Sequence, residues 1–281
     1  MTDWRPSCST EVLAARADML AATRSFFAAR EVMEVQTATL AAHGVTDPAI
    51  ESMRTADGRY LQTSPEYQMK RLLAAGAPSI YQIGPVFRAG EAGRWHNPEF
   101  TMIEWYRVGM DAEALMREVA DLVDALLGPS DYDRRAYADM VGVPVESTPE
   151  DELDLRISEA IAKLSPARVF ITEYPAPQAA LARVEGGVAA RFELVVDGLE
   201  VANGYHELRD ADELRRRMVR DNALRREESL AEIPLDEGFL AAHAHGLPDC
   251  AGVAVGFDRL VALKLGADGL AAVMPFPAER A

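Results

Sequence analysis

Residues 87–106, FRAGEAGRWHNPEFTMIEWY, combine residue types that packing alone does not explain. An arginine is followed by a glycine-containing turn, a His-Asn pair and an alternating run, which predicts two strands joined by a loop. Alternate residues of a strand face one side, so Phe100, Met102, Glu104 and Tyr106 share a face. A ring, a carboxylate and a phenol on one face suit a polar ligand, although an exposed amphipathic hairpin is the alternative.

The composition limits the class of protein. The 281 residues, 49% of them hydrophobic and 26% charged, are typical of a globular chain that forms one large domain. A formal net charge of -16 repels phosphate backbones and argues against a broad nucleic-acid-binding surface. The two cysteines are too few for a disulfide framework, and no run of eighteen apolar residues occurs. We therefore expect a cytoplasmic protein.

Helix signals and hairpin signals alternate along the rest of the sequence. The first helix has Ser9 or Thr10 as its cap and an apolar stripe that includes Leu13. Further helices are predicted at 65–76, 111–128, 210–230 and 235–244. Strands are predicted at 32–35, 59–63, 80–87, from 168 onwards, and at 192–196, 199–205 and 251–256.

The order of these elements predicts the fold class. Asp197-Gly198 is a strong two-residue turn between two strands, and such hairpins interleaved with helices indicate an antiparallel sheet flanked by helices. The expected fold is therefore α+β. Residues 130–166 are rich in acids and lack clear periodicity, so we expect them to form a surface excursion.

Two arginines and five glutamates stand in positions that suggest ligand chemistry. Arg88 follows a strand at a turn and Arg259 opens a helix after a glycine-flanked strand, which favours a polyphosphate over two surface salt bridges. Glu193 and Glu200 flank the hairpin turn and are expected opposite or diagonal to each other. They could hold Mg²⁺ together with substrate phosphates, although two solvated glutamates are the alternative.

The other three glutamates, Glu66, Glu104 and Glu207, are candidates for recognising an amine, because a buried ammonium group requires carboxylates. Taken singly they are ordinary surface acids. The sequence contains no phosphate loop ending in Lys-Ser or Lys-Thr, no dinucleotide-binding glycine fingerprint and no Gly-x-Ser-x-Gly elbow. If the chain binds ATP, it binds it on an antiparallel sheet.

Four ordered stretches resemble the catalytic core of class II lysyl-tRNA synthetases. They are YLQTSPEYQMKRLL from Tyr60, residues 87–106, EVANGYHEL from Glu200 and GVAVGFDRL from Gly252. The Phe-Arg start and the HNPEFT end of the second stretch look like the second class II signature, and GFDRL looks like the third. The resemblance covers residue 9 to the end, and the order of several motifs makes it highly specific.

Within that group the chain looks most like short paralogues that attach a β-lysyl group to a lysine of elongation factor P. The resemblance implies a single catalytic domain over residues 1–281, without the OB-fold anticodon-binding domain of the full synthetases, and a homodimer. The stretch PDCAGVA at 248–254 also looks like the paralogue. Ala254 stands where the synthetases usually have glycine, which would change the floor of the amino-acid pocket by one methyl group.

The resemblance also implies roles for individual residues. Arg88 and Arg259 would be catalytic, gripping the α-phosphate and the terminal phosphate of ATP, while Phe100 stacks on adenine. The implied ATP site comprises Arg88, Gly90, Glu91, Asn97, Phe100, Glu200, Val201, Gly256 and Arg259. The implied magnesium ligands are Glu193 and Glu200. The implied site for the lysine-like substrate comprises Ser64, Glu66, Glu104, Tyr106, Asn203, Glu207 and Ala254.

The implied reaction is ATP-dependent. A lysine-like carboxylate attacks ATP to form an aminoacyl adenylate and pyrophosphate, and a lysine amine of elongation factor P then attacks the adenylate. Two departures keep alternatives open: Gly90 stands where the family often has glutamate, and the first signature ends in Thr37-Ala38 instead of Thr-Pro. The alternatives are an enzyme that loads tRNA or a small-molecule amine, and an inactive regulatory paralogue.

Overall fold

The computed structural model describes residues 4–281, so residues 1–3 of the predicted domain lie outside the described part. Its α-helices are α1 Thr10–Ala28, α2 Glu66–Ala74, α3 Ala112–Leu127, α4 Tyr137–Val141, α5 Glu150–Ile161, α6 Ala211–Glu227, α7 Glu237–Gly246 and α8 Phe257–Leu265. Short 3₁₀ helices lie at Val145–Ser147, Ala176–Gln178 and Leu270–Ala272. The first seven strands are β1 Met33–Glu34, β2 Leu40–Ala41, β3 Tyr60–Leu61, β4 Ile80–Phe87, β5 Glu99–Val108, β6 Asp133–Ala136 and β7 Arg168–Thr172. The remaining strands are β8 Tyr174–Pro175, β9 Val184–Glu185, β10 Val188–Ala189, β11 Arg191–Val196, β12 Leu199–His206 and β13 Cys250–Gly256.

Eight of these strands form the main sheet, in the order β1-β4-β5-β13-β12-β11-β7-β6. The interior pairings are antiparallel, which confirms the predicted α+β fold with an antiparallel sheet flanked by helices. The pairings at the two edges, β1 with β4 and β6 with β7, are parallel. The sequence did not predict these parallel edges, because each joins segments that are distant along the chain.

Local signals fixed several elements closely. Strand β4 has the predicted bounds, and the turn between β11 and β12 lies at Asp197 and Gly198, with φ angles of 52° and 80°. Both residues therefore have the left-handed conformation that a two-residue hairpin with the twist of the strands requires. Ser9 caps α1 by accepting a hydrogen bond from the backbone N–H of Val12.

Helices α1, α3 and α8 pack together on one face of the main sheet and enclose the largest core. From β5 this core receives Ile103 and Trp105, both completely buried. The predicted stripe of α1 was wrong at Leu13, which is exposed, whereas Thr23 is buried and donates its hydroxyl hydrogen to the carbonyl of Met19. A threonine that satisfies its hydroxyl within its own helix can face a core.

Residues 130–166 contain the edge strand β6 and the helices α4 and α5, which the sequence did not predict. They lie at one end of the main sheet over a second core, in which Tyr137 and Leu153 contact apolar residues of β7 and β11. The elements are short, and most of their polar residues are exposed, so their apolar positions are too few to show a period.

Candidate active site

A cleft lies on the face of the main sheet opposite the α1–α3–α8 core. It is formed mainly by β5, β12, β13, the start of α8 and the loop between β4 and β5, and its empty volume is about 1030 Å³ including the open mouth. The alternation of β5 decides which residues reach it. Met102, Glu104 and Tyr106 line the cleft, while Ile103 and Trp105 between them face the core.

The structure brings nearly all the predicted site residues together in this cleft. Its lining includes Ser64, Glu66, Arg88, Glu91, Asn97, Phe100, Glu104, Tyr106, Glu200, Val201, Asn203, Glu207, Ala254, Gly256 and Arg259. Two predicted residues are not part of the lining. Gly90 lies in the exposed turn between β4 and β5 with a φ of 78°, and Glu193 lies on β11, the strand beside β12.

One end of the cleft is acidic. Glu104 is buried and accepts hydrogen bonds from the Ser64 hydroxyl at 2.6 Å and the Tyr106 hydroxyl at 2.8 Å. The ammonium group of Lys70 donates a hydrogen bond to Glu66 at 2.5 Å and lies 2.6 Å from an oxygen of Glu207 in an ion pair. These three carboxylates and the phenol therefore form one polar cluster, which we call the acidic pocket.

Two acceptors of the cleft, one of them in the acidic pocket, lack donors. Within the described residues, the side-chain oxygen Oε1 of Glu207 and the oxygen Oδ1 of Asn203 are buried without a hydrogen-bond partner. A buried acceptor left unpaired costs about 1–3 kcal/mol, so such pairs of atoms mark places where a ligand donates. An ammonium group supplies several donors and a positive charge, which suits the carboxylate oxygen of Glu207.

Burial shifts the pKa values of the carboxyl groups in the acidic pocket. Burial, and then the charge of Glu66, raises the pKa of Glu104 to about 7. Burial also raises the pKa of Glu207 to about 8, although Lys70 acts in the opposite direction. An empty pocket at neutral pH therefore holds protons that a cationic ligand would displace.

The other end of the cleft is basic. Arg88 lies with its guanidinium carbon 5.3 Å from the ring centre of Phe100, and it forms an ion pair with Glu91 at 3.5 Å. Arg259 donates hydrogen bonds to the backbone carbonyls of Glu200 at 2.7 Å and Trp95 at 3.3 Å. Two guanidinium groups and an aromatic ring at one end of a cleft are suited to a nucleotide phosphate chain and its base.

The two carboxylates predicted to bind a metal lie on the neighbouring strands β11 and β12. A bulge in the β11–β12 pairing separates them: Glu193 pairs with Asn203, and Glu200 pairs with Val195, so they are diagonal neighbours. Glu193 accepts a hydrogen bond from Arg191 at 2.5 Å. Burial and the charge of Glu193 raise the pKa of Glu200 to about 7. A cation beside both groups would stabilise their ionised forms.

Magnesium fits this pair only with further ligands. Residues 4–281 contain no group of three or more His, Cys, Asp or Glu side chains arranged to hold a metal ion. Two carboxylates are nevertheless a normal protein contribution for Mg²⁺, which takes its other ligands from waters and substrate phosphates. The residues present therefore fit a metal that enters with a nucleotide.

Sequence reasoning missed the roles of Lys70, which pairs with Glu207 beside the cleft, and of Gly252, which lines it. Lys70 was not predicted, because a lysine on a helix usually faces solvent, although its spacing of four residues from Glu66 is a signal for an ion pair. The sequence marks Gly252 only as the first residue of the stretch GVAVGFDRL. A Cβ atom there would lie 2.3 Å from the Tyr106 ring and 2.6 Å from Glu207, so its lack of a side chain makes room for the acidic pocket.

Comparison with known families agrees with this geometry. The family of class II tRNA synthetases (D, K and N) matches residues 1–280. No helix among residues 4–281 combines the length and apolar character needed to cross a membrane.

Relatives narrow the class further. The chain is 42% identical to the elongation factor P–(R)-β-lysine ligase of Yersinia enterocolitica, over 99% of this chain and 98% of the relative. It is similar to the ligases of the same name from Vibrio parahaemolyticus, at 42% identity over 98% of each chain, and Salmonella gallinarum, at 40% over 99% and 98%. The chain therefore belongs to the class II tRNA synthetase family and, within it, to the group formed by these ligases.

Proposed function

We propose that this chain is an ATP-dependent ligase that activates (R)-β-lysine, or lysine, as an adenylate and transfers it to a lysine side chain of elongation factor P. The observation that carries the proposal is the cleft itself. One end of the cleft has two arginines and an aromatic ring, which suit ATP. The other end has buried carboxylates and an unpaired carboxylate oxygen, which suit a diamino acid bound next to the ATP.

The acidic pocket would bind the amino acid through its ammonium groups. Glu207 would accept from one ammonium group, and Asn203, four residues earlier along the chain, from another donor of the substrate. Glu104, held by Ser64 and Tyr106, would offer a fixed carboxylate for electrostatic attraction. The substrate carboxylate then points along β12 towards the basic end. Binding at the remote amines thus orients the reacting group, which lowers the entropic part of the barrier.

In the first step the substrate carboxylate oxygen attacks the α-phosphorus of ATP. A new oxygen–phosphorus bond forms, and the bond to the β-phosphate oxygen breaks to release pyrophosphate. Arg88 would neutralise charge on the α-phosphate and Arg259 on the terminal phosphate, while Phe100 stacks on adenine. Glu91, Asn97, Val201 and Gly256 would contact the rest of the nucleotide.

Mg²⁺ would be held by Glu193 and Glu200 and would neutralise charge on the phosphates. The chain itself supplies the two carboxylates, with Arg191 fixing the orientation of Glu193. The ion pair between Arg88 and Glu91 suggests that Glu91 takes the part expected of a glutamate at the Gly90 position.

In the second step a lysine amine of the acceptor protein attacks the carbonyl carbon of the adenylate. An amide bond forms, AMP leaves, and the amine loses a proton. Relatives named as elongation factor P–(R)-β-lysine ligases match this chain over almost their full length, which supports the same acceptor. We further propose that the protein is cytoplasmic and forms a homodimer. Light scattering in solution would test the dimer.

Pyrophosphate exchange into ATP tests the activation step. We expect exchange with (R)-β-lysine and with lysine, and none with norleucine, which lacks the terminal amine. Comparing the lysine isomers also decides which one the pocket around Ala254 prefers. Absence of exchange with every lysine isomer would reject the proposal and favour an inactive paralogue, whereas strong charging of tRNA would favour the tRNA-loading alternative.

A further inference from the structure

The acidic pocket contains a cation of its own. Lys70 is 1% exposed, although it lies on helix α2 in a strongly negative chain. Its ammonium group is placed between two carboxylates, 2.5 Å from Glu66 and 2.6 Å from Glu207, and 5.9 Å from the ring centre of Tyr106. A lysine this deeply buried requires compensation, which the two carboxylates provide.

The formal charges of the pocket can be counted. When Glu66, Glu104 and Glu207 are all ionised, as a bound cation would favour, the single ammonium of Lys70 leaves two negative charges uncompensated. Two ammonium groups are what a diamino acid such as lysine or β-lysine brings. Without Lys70 three negative charges would remain, one more than the two ammonium groups of that substrate class.

Other groups near Lys70 do not change this count. His243 on α7 is buried, and burial together with the charge of Lys70 lowers its pKa to about 4, so it is neutral. Cys250 on β13 is a buried thiol whose pKa burial raises to about 12, and it is also neutral at physiological pH. Burial opposes the charge of Lys70, but Glu207 and Glu66 raise its pKa well above the usual range.

We propose that Lys70 is a positioning residue that acts as the fixed counter-ion of the acidic pocket, holding Glu66 and Glu207 in place and setting the pocket's charge to match a substrate with two ammonium groups. The proposal rests on the proposed function for the identity of the substrate. Lys70 itself is not expected to contact the reacting atoms.

Replacing Lys70 by methionine removes the charge and keeps most of the volume. We expect the KM of Lys70→Met for the diamino acid in pyrophosphate exchange to rise about tenfold at pH 7, because an additional carboxyl must lose its proton before the substrate binds. The pH at which kcat/KM reaches half its maximum should rise by about one unit. The KM for ATP, which binds at the other end, should stay unchanged.

Chemical rescue separates charge from packing. Lys70→Ala leaves a space shaped like propylammonium, so this cation should restore the KM for the amino acid, whereas propanol, of similar shape but neutral, should not. Equal rescue by both, or a Lys70→Met enzyme with the wild-type KM and pH profile, would overturn the proposal. If Lys70→Met does not fold, the Lys70→Ala protein with either additive decides in its place.

A measurement without turnover distinguishes this proposal from the proposed function. The free energy of unfolding between pH 7 and 8.5 should fall more steeply for Lys70→Met than for the wild type, since the folded variant holds more protons. Identical slopes would contradict the role of Lys70. Absence of exchange in the wild type would reject only the proposed function, because the slopes still report on Lys70.

Discussion

Glu207 is the residue at which burial, charge and an unsatisfied oxygen coincide. Its carboxylate is 1% exposed, pairs with Lys70 through one oxygen and has no hydrogen-bond donor at the other within the described residues. Burial raises its pKa to about 8, so the group is poised to exchange a proton for a cation. Such a group is costly for folding and therefore points to binding.

Substituting Glu207 by glutamine keeps the shape of the side chain and removes its charge. We expect the KM for the diamino acid to rise by a factor of about 30 or more, since removal of one partner of a buried charged contact costs at least about 2 kcal/mol. The KM for ATP should change little. Steady-state pyrophosphate exchange measures both, and Glu152→Gln on the exposed helix α5 is the matched control. Equal rises in both KM values would argue against an amine site at Glu207.

Arg259 is the corresponding residue at the basic end. Arg259→Ala removes a guanidinium that would stabilise charge on the terminal phosphates, so the exchange rate should fall by a factor of about 10² to 10³. Arg156→Ala, which removes an exposed arginine of α5, should have no effect.

Thermal unfolding of Arg259→Ala should remain cooperative, because the side chain is only partly buried. Loss of cooperative unfolding would instead show that its bonds to the Glu200 and Trp95 carbonyls hold the fold together.

At the scale of secondary-structure elements, the pairing of strands β5 and β13 determines the shape of the acidic pocket. Their register places Gly252 opposite Tyr106, and the phenol ring lies over the glycine, where a Cβ atom would be 2.3 Å from the ring. The pocket therefore depends on a strand that carries no side chain at this point. A larger residue would move the Tyr106 ring away from Glu104.

Gly252→Ala tests this pairing of strands. We expect a loss of stability of about 1–3 kcal/mol from overpacking, together with a raised KM for the amino acid. Gly84→Ala in β4 is the matched strand control, since its Cβ atom would meet only ordinary contacts, the nearest at 3.7 Å. Denaturant unfolding and pyrophosphate exchange measure the two effects, and a wild-type KM in Gly252→Ala would show that the ring can shift without loss of binding.

The limits of sequence prediction are also visible in these elements. The alternation along β5 and the Asp197-Gly198 turn depend only on residues that are neighbours in the chain. The sequence therefore predicts both the four-residue face of β5 and the hairpin. Burial of Lys70, the unpaired oxygen of Asn203 and the edge strand β6 depend on contacts between distant segments. Composition and periodicity carry no record of such contacts, so these features were not predicted.

The stability of the whole protein should depend on pH through the carboxyl groups of its cleft. Burial raises the pKa values of Glu104 and Glu200 to about 7 and that of Glu207 to about 8, from values near 4.5 in the unfolded chain. Between pH 4.5 and these raised values, the folded chain therefore binds more protons than the unfolded chain. Stability contributed by such groups falls as pH rises through that window. Burial lowers the pKa values of His96 and His243, which has the opposite effect only below about pH 6.5.

We therefore expect the melting temperature of the free protein to fall by at least about 2 °C between pH 7 and 8.5, where these three carboxyls make the largest contribution to the slope. Glu207→Gln should show a shallower fall. Adding MgATP and the diamino acid should raise the melting temperature more at pH 8.5 than at pH 7, because the ligands bind the ionised carboxylates. Calorimetry across this range checks the slope, and a melting temperature that rises with pH would contradict the charge assignment.

The central claim concerns the complete reaction, and the mass of the acceptor protein tests it most directly. Elongation factor P is incubated with this chain, ATP, Mg²⁺ and (R)-β-lysine, and its intact mass is then measured. We predict an increase by one β-lysyl group on a single lysine, which is absent when ATP is omitted or when Arg259→Ala replaces the wild type. An unchanged mass, with an acceptor that a known ligase of this group does modify, would contradict the account.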